Sequence, residues 1–155
     1  MTRKISCGVL FLVGLLVAVS FASCSDEDPA EVLNPFNIRF KTDLKIESDN
    51  SYLIPAAGGT YTFDIYNGEP WLYSISEKFD GKSVVYKAET RECPKIEALW
   101  ATADVEKSGP NNMRLTVKIS PSDKIKYRYV YVVVANSMKS KVLVFKQFGI
   151  YTDKE

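Results

Sequence analysis

Short stretches in which apolar and polar residues alternate with a period of two run through most of this chain, and this pattern limits its possible folds most strongly. Side chains of a β-strand point alternately to opposite faces of a sheet, so the alternation predicts strands with one buried face. The sequence has no long segment with the 3.6-residue period of an amphipathic helix. We therefore expect an all-β protein. The clearest strand patterns cover residues 60–66, 71–76, 113–119, 127–135 and 141–148.

Residues that favour turns (Gly, Pro, Asn, Asp and Ser) cluster between these stretches. Seven or eight short strands separated by such turns are typical of an antiparallel β-sandwich of immunoglobulin-like type. The Cys-Trp-Cys spacing of a true immunoglobulin domain is absent from the sequence. The turn clusters are residues 49–51, 56–59, 67–70, 80–81, 108–112, 121–123 and 136–140.

Two segments have a weaker pattern than the rest. Apolar residues at positions 38, 40, 44 and 46 predict a first strand that ends at Asp49. Residues 95–101 fit either a short helix or a strand, and the Thr and Val residues that follow favour a strand.

Histidine is absent from the 155 residues, which excludes several common catalytic arrangements. Ser-His and Cys-His pairs, an imidazole base and His metal ligands all require it. With 20 Lys and Arg against 19 Asp and Glu, the chain also lacks the broad basic field that favours nucleic acid. It contains neither a Gly-rich phosphate loop nor EF-hand spacing. We expect no cofactor, no metal site and no nucleic acid partner.

Four carboxylates near the predicted turns, Asp64, Glu69, Glu77 and Asp80, are the candidates for hydrolytic chemistry. Cleavage of a glycosidic bond needs two carboxyl groups across a cleft, roughly 5 to 9.5 Å apart. A small sandwich with short loops rarely provides such a cleft, so we expect that the protein is not an enzyme.

The first 23 residues have the composition of a secretory signal. Arg3 and Lys4 precede an apolar run at 9–19, and small residues occupy most of positions 20–23. A transmembrane helix needs roughly 20 apolar residues. This run is shorter, and an acidic segment follows it instead of a basic one. We expect a signal peptide over residues 1–23.

Cys24 follows the small residues directly, and the segment Phe21-Ala22-Ser23-Cys24 resembles the lipobox of bacterial lipoproteins. That resemblance implies cleavage before Cys24 and lipidation of its thiol. Two or three acyl chains anchor a protein stably, since each buried CH2 adds roughly 0.8 kcal/mol. The acidic run 25–28 resembles the surface-export signal of Bacteroidota lipoproteins, and it also suits a solvated tether.

These features predict a protein anchored by lipid in the outer membrane and facing the cell exterior. We divide the chain into the signal peptide, an acidic tether at 24–36, a β-sandwich domain at 37–150 and a tail at 151–155. Cys7 leaves with the signal and Cys24 is lipidated, so Cys93 has no partner for an intrachain disulfide. We expect Cys93 to be a small buried apolar residue.

A set of short motifs runs from about residue 50 to residue 149: Ala56-Ala57-Gly58-Gly59-Thr60-Tyr61-Thr62-Phe63, Trp71, Trp100, Arg128 with Val130 and Val132, and Phe145-Lys146-Gln147-Phe148-Gly149. Together they resemble the BACON (Bacteroidetes-associated carbohydrate-binding often N-terminal) domain, an immunoglobulin-like module of Bacteroidota surface proteins. The chain departs from the pattern in a longer stretch at 77–99 and in lacking the Asn expected before Arg128. The resemblance implies binding of carbohydrate or mucin, or a spacer role, and no catalytic residue.

Tyr127, Tyr129 and Tyr131 share one face of a predicted strand, while Val130, Val132 and Val134 share the other. If the valines face the core, the tyrosines form an exposed stripe, which Val142 and Val144 of the next strand extend. Such a stripe marks a surface for a ligand or partner. The alternatives are a central strand covered on both faces, or tyrosines that simply suit a solvated strand.

Trp71 and Trp100 are further candidates, because sugars pack on flat aromatic rings. Their alternative, the commoner one in sandwiches, is a place in the core. We therefore expect glycan binding or an accessory role in polysaccharide uptake. The alternative is a structural spacer or protein-interaction subunit of a surface assembly or adhesin.

Overall fold

The computed structural model describes residues 37–66, 69–110 and 112–150. The predicted signal peptide, Cys24, the tether and the tail lie outside the described residues. Ten strands form the described part, and it contains no helix that could span a membrane. The strands are β1 (Arg39–Lys41), β2 (Ser51–Ile54), β3 (Gly59–Tyr66), β4 (Trp71–Phe79), β5 (Lys82–Lys87), β6 (Lys95–Glu97), β7 (Ala101–Lys107), β8 (Asn112–Ile119), β9 (Arg128–Ala135) and β10 (Ser140–Gln147).

The strands form two five-stranded sheets. Sheet A has the order β1-β3-β8-β7-β6, and sheet B has the order β2-β10-β9-β4-β5. All pairings are antiparallel except that of β2 with β10, which is parallel. The prediction of an immunoglobulin-like β-sandwich is confirmed, with this one parallel pair as an addition to the antiparallel scheme.

The core lies between the inward faces of the two sheets. Val130, Val132 and Val134 of β9 are completely buried there. Phe63 of β3 packs edge-on against Phe145 of β10, with ring centroids 5.8 Å apart. Each of these residues belongs to the apolar set of its strand, so burial of that set drives the pairing of the sheets.

Three strands of three or four residues raise the number of described strands above the expected seven or eight. β1 ends at Lys41, where a strand to Asp49 was expected, and Ile46 makes an isolated bridge with Tyr52. β2 lies between two clusters of turn-favouring residues, and its four residues were not recognised as a strand. Residues 95–101 form β6, the turn that follows it and the first residue of β7 rather than a helix. Strands this short contain too few residues to show a period.

The predicted glycine pair, Gly58 and Gly59, lies where the turn after β2 leads into β3. The amide of Gly58 donates to the carbonyl of Pro55 at 2.9 Å, and the φ of Gly58 is 71°. A Cβ at Gly58 would overlap the carbonyl oxygen of Ile119, so only glycine fits. The expectation of a buried Cys93 is wrong: Cys93 is partly exposed, because it lies in the connection between β5 and β6.

Candidate functional site

The outward side of sheet B carries the tyrosines that the sequence singles out. Val130, Val132 and Val134 point into the core. Tyr129 and Tyr131 alternate with these valines along β9 and therefore point away from it. Both tyrosines are partly exposed, and Tyr127 is 38% exposed. Among the described residues, no further layer covers this side of the central strand β9. The expected tyrosine stripe is therefore at the surface.

The strand register surrounds the stripe with a defined set of neighbours. Tyr129 lies between Lys146 of β10 and Lys78 of β4. Tyr131 lies between Val144 and Ser76 in the next row. We call this surface the tyrosine face; it comprises Leu53, Ser76, Lys78, Ser83, Val85, Lys87, Tyr127, Tyr129, Tyr131, Val133, Val142, Val144, Lys146 and Phe148.

The aromatic rings of the tyrosine face are in contact with one another and with a cation. Tyr129 and Tyr131 stack with their centroids 6.3 Å apart and an interplanar angle of 22°. Tyr127 packs against Phe148 at 5.3 Å, and the ammonium of Lys146 lies 4.9 Å from the Tyr127 ring centroid. These contacts hold the rings in place, so binding to them costs little side-chain entropy.

The outward side of sheet A has a different composition, although the same alternation builds it. Its carboxylates and cations are interspersed, as in the ion pair of Asp64 with Arg114 at 3.0 Å. Tyr66 is its one described aromatic at an outward strand position. A mixed face of this kind is an ordinary solvated surface. Four of its positions are threonines: Thr60, Thr62, Thr102 and Thr116.

Trp71 lies at the opposite end of β4 from Lys78, beside a shallow cleft of about 450 Å³. The guanidinium of Arg91 lies 4.7 Å from its ring centroid, so one face of the indole is engaged. Tyr73 is 51% exposed and lies at the β-bulge where the register with β9 shifts. The remaining lining residues are Leu72, Ala88, Glu89, Thr90, Ala135 and Asn136.

Trp100 lies among buried polar side chains and is not part of the tyrosine face. The guanidinium of Arg128 lies 4.8 Å from its ring centroid, and Phe79 packs edge-on at 6.3 Å. Its backbone amide donates to the carboxylate of Glu77. Trp71 and Trp100 are both partly exposed, and neither is among the fully buried core residues. The structure therefore does not bring the two tryptophans together.

Arg128 and Gln147, two residues of the motif pattern, form a buried hydrogen-bonded pair. Arg128 Nε donates to Gln147 Oε1 at 2.6 Å, and Arg128 Nη2 donates to the Ser120 carbonyl at 2.6 Å. Gln147 Nε2 donates to the carbonyls of Pro55, Ala56 and Ser120. The pair thus joins the last two strands to two separate turns. Burial lowers the pKa of Arg128, and the charge of Glu77 opposes that shift.

Glu77 is a buried carboxylate whose role the sequence alone does not reveal. It is 3% exposed and accepts hydrogen bonds from the amides of Trp100 and Ala101. Burial raises its pKa, while these hydrogen bonds and the charge of Arg128 lower it by less. The sequence feature that could have revealed its burial is its position, because the alternation along β4 places Ile75 and Glu77 on the same inward side. Glu77 therefore ties β4 to the start of β7.

The four carboxylates considered for catalysis do not gather at one cleft. Glu77 is buried between the sheets, whereas the other three are engaged at the surface. The residues that the structure describes also contain no group of three acidic or sulfur-bearing side chains able to hold a metal ion. The three surface ion pairs are Asp64 with Arg114, Glu69 with Lys107 and Asp80 with Lys126.

Comparisons with known proteins show similarity at the level of the fold. No family model matches the chain, and no curated protein matches it. An NMR structure of a protein from Bacteroides thetaiotaomicron aligns with a TM-score of 0.55 and 20% identity, over 81% of this chain and 97% of that chain. The twitchin kinase region from C. elegans aligns with a TM-score of 0.35 and 11% identity, over 74% of this chain and 17% of that chain. The chain therefore shares its β-sandwich fold with the Bacteroides protein.

Proposed function

We propose that this chain is a non-enzymatic, BACON-type carbohydrate-binding lipoprotein of the outer membrane, with an accessory role in polysaccharide uptake. The observation that carries the proposal is the difference between the two outward faces. Sheet A presents threonines and paired charges, whereas sheet B presents stacked tyrosines flanked by hydroxyl and ammonium groups. The same fold needs no such asymmetry for stability alone.

Tyrosine suits carbohydrate because it combines an apolar ring with a polar hydroxyl. The C–H faces of sugars pack on aromatic rings, and sugar hydroxyls need hydrogen-bond partners at the same place. Tyr131 has Ser76 beside it in its row, and Ser76 shares a hydrogen bond of 3.0 Å with Ser83. The tyrosine face therefore supplies apolar and polar contacts within one strip.

The cleft at Trp71 extends the proposed site along sheet B. Tyr131 and Ala135 are four residues apart on β9, and Ala135 pairs with Trp71. At about 3.3 Å per residue, the Trp71 row lies about 13 Å from the Tyr131 row. A surface of this length suits a chain of several sugars better than a single one.

A binding screen tests the proposal. The purified full chain, in a nonionic detergent, would be applied to a broad glycan panel that includes mucin. We expect binding that Tyr129→Ala/Tyr131→Ala weakens about tenfold or more, because stacked aromatic contacts contribute about 0.5 to 1.5 kcal/mol each. Trp71→Ala tests the extension separately.

Tyr66→Ala is the matched control, since Tyr66 is an exposed tyrosine on the outward face of sheet A. It should bind as the parent chain does. Thermal unfolding of each variant would establish that the fold is intact. Loss of binding in the control as well, or no binding of the parent chain to any glycan, would contradict the proposal.

A second candidate function, protein interaction within a surface assembly, rests on the edge of sheet B. The edge strand β5 exposes Val84 by 55% and Val85 by 54%. An exposed edge with apolar side chains is a template for strand addition by a partner. Capture of a surface protein by the parent chain, lost in Val84→Lys/Val85→Lys, would favour this function over glycan binding.

A further inference from the structure

We infer that the tyrosine face selects polysaccharides that carry sulfate or carboxylate groups over neutral ones. This inference rests on the proposed function and names the class of glycan. It starts from the charges of the outward strand positions of sheet B. Three lysines occupy these positions, and no carboxylate does: Lys78, Lys87 and Lys146.

Two of the lysines flank the central tyrosine. Lys146 and Lys78 pair with Tyr129 from its two sides. Two strand spacings separate their Cα atoms, which is about 10 Å. A sugar that packs on Tyr129 therefore lies within reach of an ammonium group on either side. A neutral glycan would leave both charges without a counterion from the ligand.

The nearby acids give this pair of cations one long ion pair between them. Lys78 and Lys87 form no ion pair within the described part of the chain. Lys146 lies 3.8 Å from Asp49 Oδ2, at the rim of the face. Asp49 is engaged mainly by Ser51, whose amide and hydroxyl donate hydrogen bonds to Asp49 Oδ1 at 3.1 and 2.5 Å. A ligand anion can therefore compete for Lys146.

Sheet A provides the contrast within the same molecule. Its outward side also carries cations, yet a carboxylate is paired with Arg114 across the sheet. Lys118 lies on that side beside Thr60 and Thr102. Lys118 therefore has no aromatic neighbour in its row, and the cation of sheet A that does have one, Arg39 beside Tyr66, lies on the edge strand β1.

The test compares polymers that differ only in charge. The full chain in nonionic detergent would be titrated with dextran and dextran sulfate, and with polygalacturonate and its methyl ester. Poly-L-glutamate serves as a polyanion without sugar rings. We expect the charged member of at least one pair to bind about tenfold more tightly, since two favourable charge contacts together supply about that factor. The two pairs distinguish sulfate from carboxylate.

The variant Lys78→Gln/Lys146→Gln should remove this preference, so that the charged and the neutral member of each pair bind alike. Lys78→Arg/Lys146→Arg keeps the charges and should retain it, and Lys118→Gln on sheet A should have no effect. Raising the salt from about 0.1 M to about 1 M shortens the screening length from about 10 to about 3 Å and should also remove the preference.

Equal binding of neutral and charged polymers would overturn the selectivity and leave the proposed function standing. Poly-L-glutamate could also bind as strongly as the charged polysaccharides, with no change in Tyr129→Ala/Tyr131→Ala. That result would overturn the selectivity, because it would show a general attraction to polyanions. Absence of binding to every polysaccharide would contradict the proposed function as well.

Discussion

Arg128 and Gln147 hold together parts of the chain that are far apart in sequence, through their hydrogen bonds to each other and to turn carbonyls. Among the described residues, no buried side-chain nitrogen or oxygen lacks a partner. The alternation predicts that both residues point inward, because Arg128 shares the side of Val130 and Gln147 that of Phe145. Their acceptors are turn carbonyls, which no period in the sequence indicates.

Removing Gln147 tests how much this buried pair stabilises the fold. Gln147→Leu leaves Arg128 Nε without its acceptor. It also removes one of the two donors of each of three turn carbonyls, those of Pro55, Ala56 and Ser120. We expect the free energy of unfolding to fall by about 3 to 5 kcal/mol, as when one partner of a buried charged interaction is deleted. Urea unfolding would measure this. Thr62→Ala, on the solvated side of sheet A, should change it by less than about 0.5 kcal/mol.

Glu77 should make stability depend on pH. Burial raises its pKa in the folded state above the ordinary value of 4.5. Folding therefore favours the protonated form, and this contribution is complete below the ordinary pKa and is lost as the pH rises through the raised one. Relative to Glu77→Gln, which cannot ionise, the parent chain should lose stability as the pH is raised from about 4.5 towards neutrality. Urea midpoints of both proteins over this range would measure the difference. A constant difference between them would contradict the raised pKa.

At the scale of elements, long strands were predictable and short ones were not. β3, β8, β9 and β10 each have eight residues and show the alternation, and β4, with nine residues, shows it beyond the bulge between Leu72 and Ser74. β2 has four residues and lies in sheet B because Phe145 and Gln147 pair with Tyr52 and Ile54. Its place depends on a strand near the other end of the domain, so local sequence cannot reveal it.

Gly149, which follows β10, belongs to this scale, because it lets the backbone after the strand pass close to the backbone of Lys124 and Ile125. A Cβ at Gly149 would overlap the backbone of Ile125 and Lys124. We expect Gly149→Ala to lower the free energy of unfolding by about 1 to 3 kcal/mol, the usual cost of overpacking. Gly109→Ala is the control: its Cβ would make ordinary contacts with Asn112, and stability should stay the same or rise slightly. Thermal unfolding of both variants compares them, and equal effects would contradict this account.

For the whole molecule, the sequence predicted the sandwich and gave the outward tyrosine stripe as one of its alternatives for β9. It did not predict the cleft at Trp71, because the bulge between Leu72 and Ser74 shifts the register of β4. Nor did it predict that Arg128 engages the ring of Trp100. Features set by one strand's own pattern were accessible, whereas those set by contacts between strands were not.

The proposed lipid anchor concerns the whole molecule and has its own test. Globomycin blocks the peptidase that cleaves lipoprotein signals before the lipidated cysteine. If Cys24 is the lipidation site, globomycin should cause the full-length precursor to accumulate, which electrophoresis of treated cells would detect. Cys24→Ser should abolish labelling by a radioactive fatty acid, and Cys93→Ser should not. Normal processing in the presence of the drug would contradict the lipobox prediction.

The parallel pairing of β2 with β10 has a consequence for the order in which the fold is completed. Gln147 donates to the carbonyl of Pro55, a residue 92 positions earlier in the chain. A polypeptide delivered across a membrane with its N-terminus first therefore emerges almost entirely before β2 can find its neighbour. Contacts this distant in sequence form slowly, since a long loop must close first. Until then the apolar side chains of β2 stay accessible to proteases and chaperones. Pairing of β10 with β2 and β9 completes sheet B.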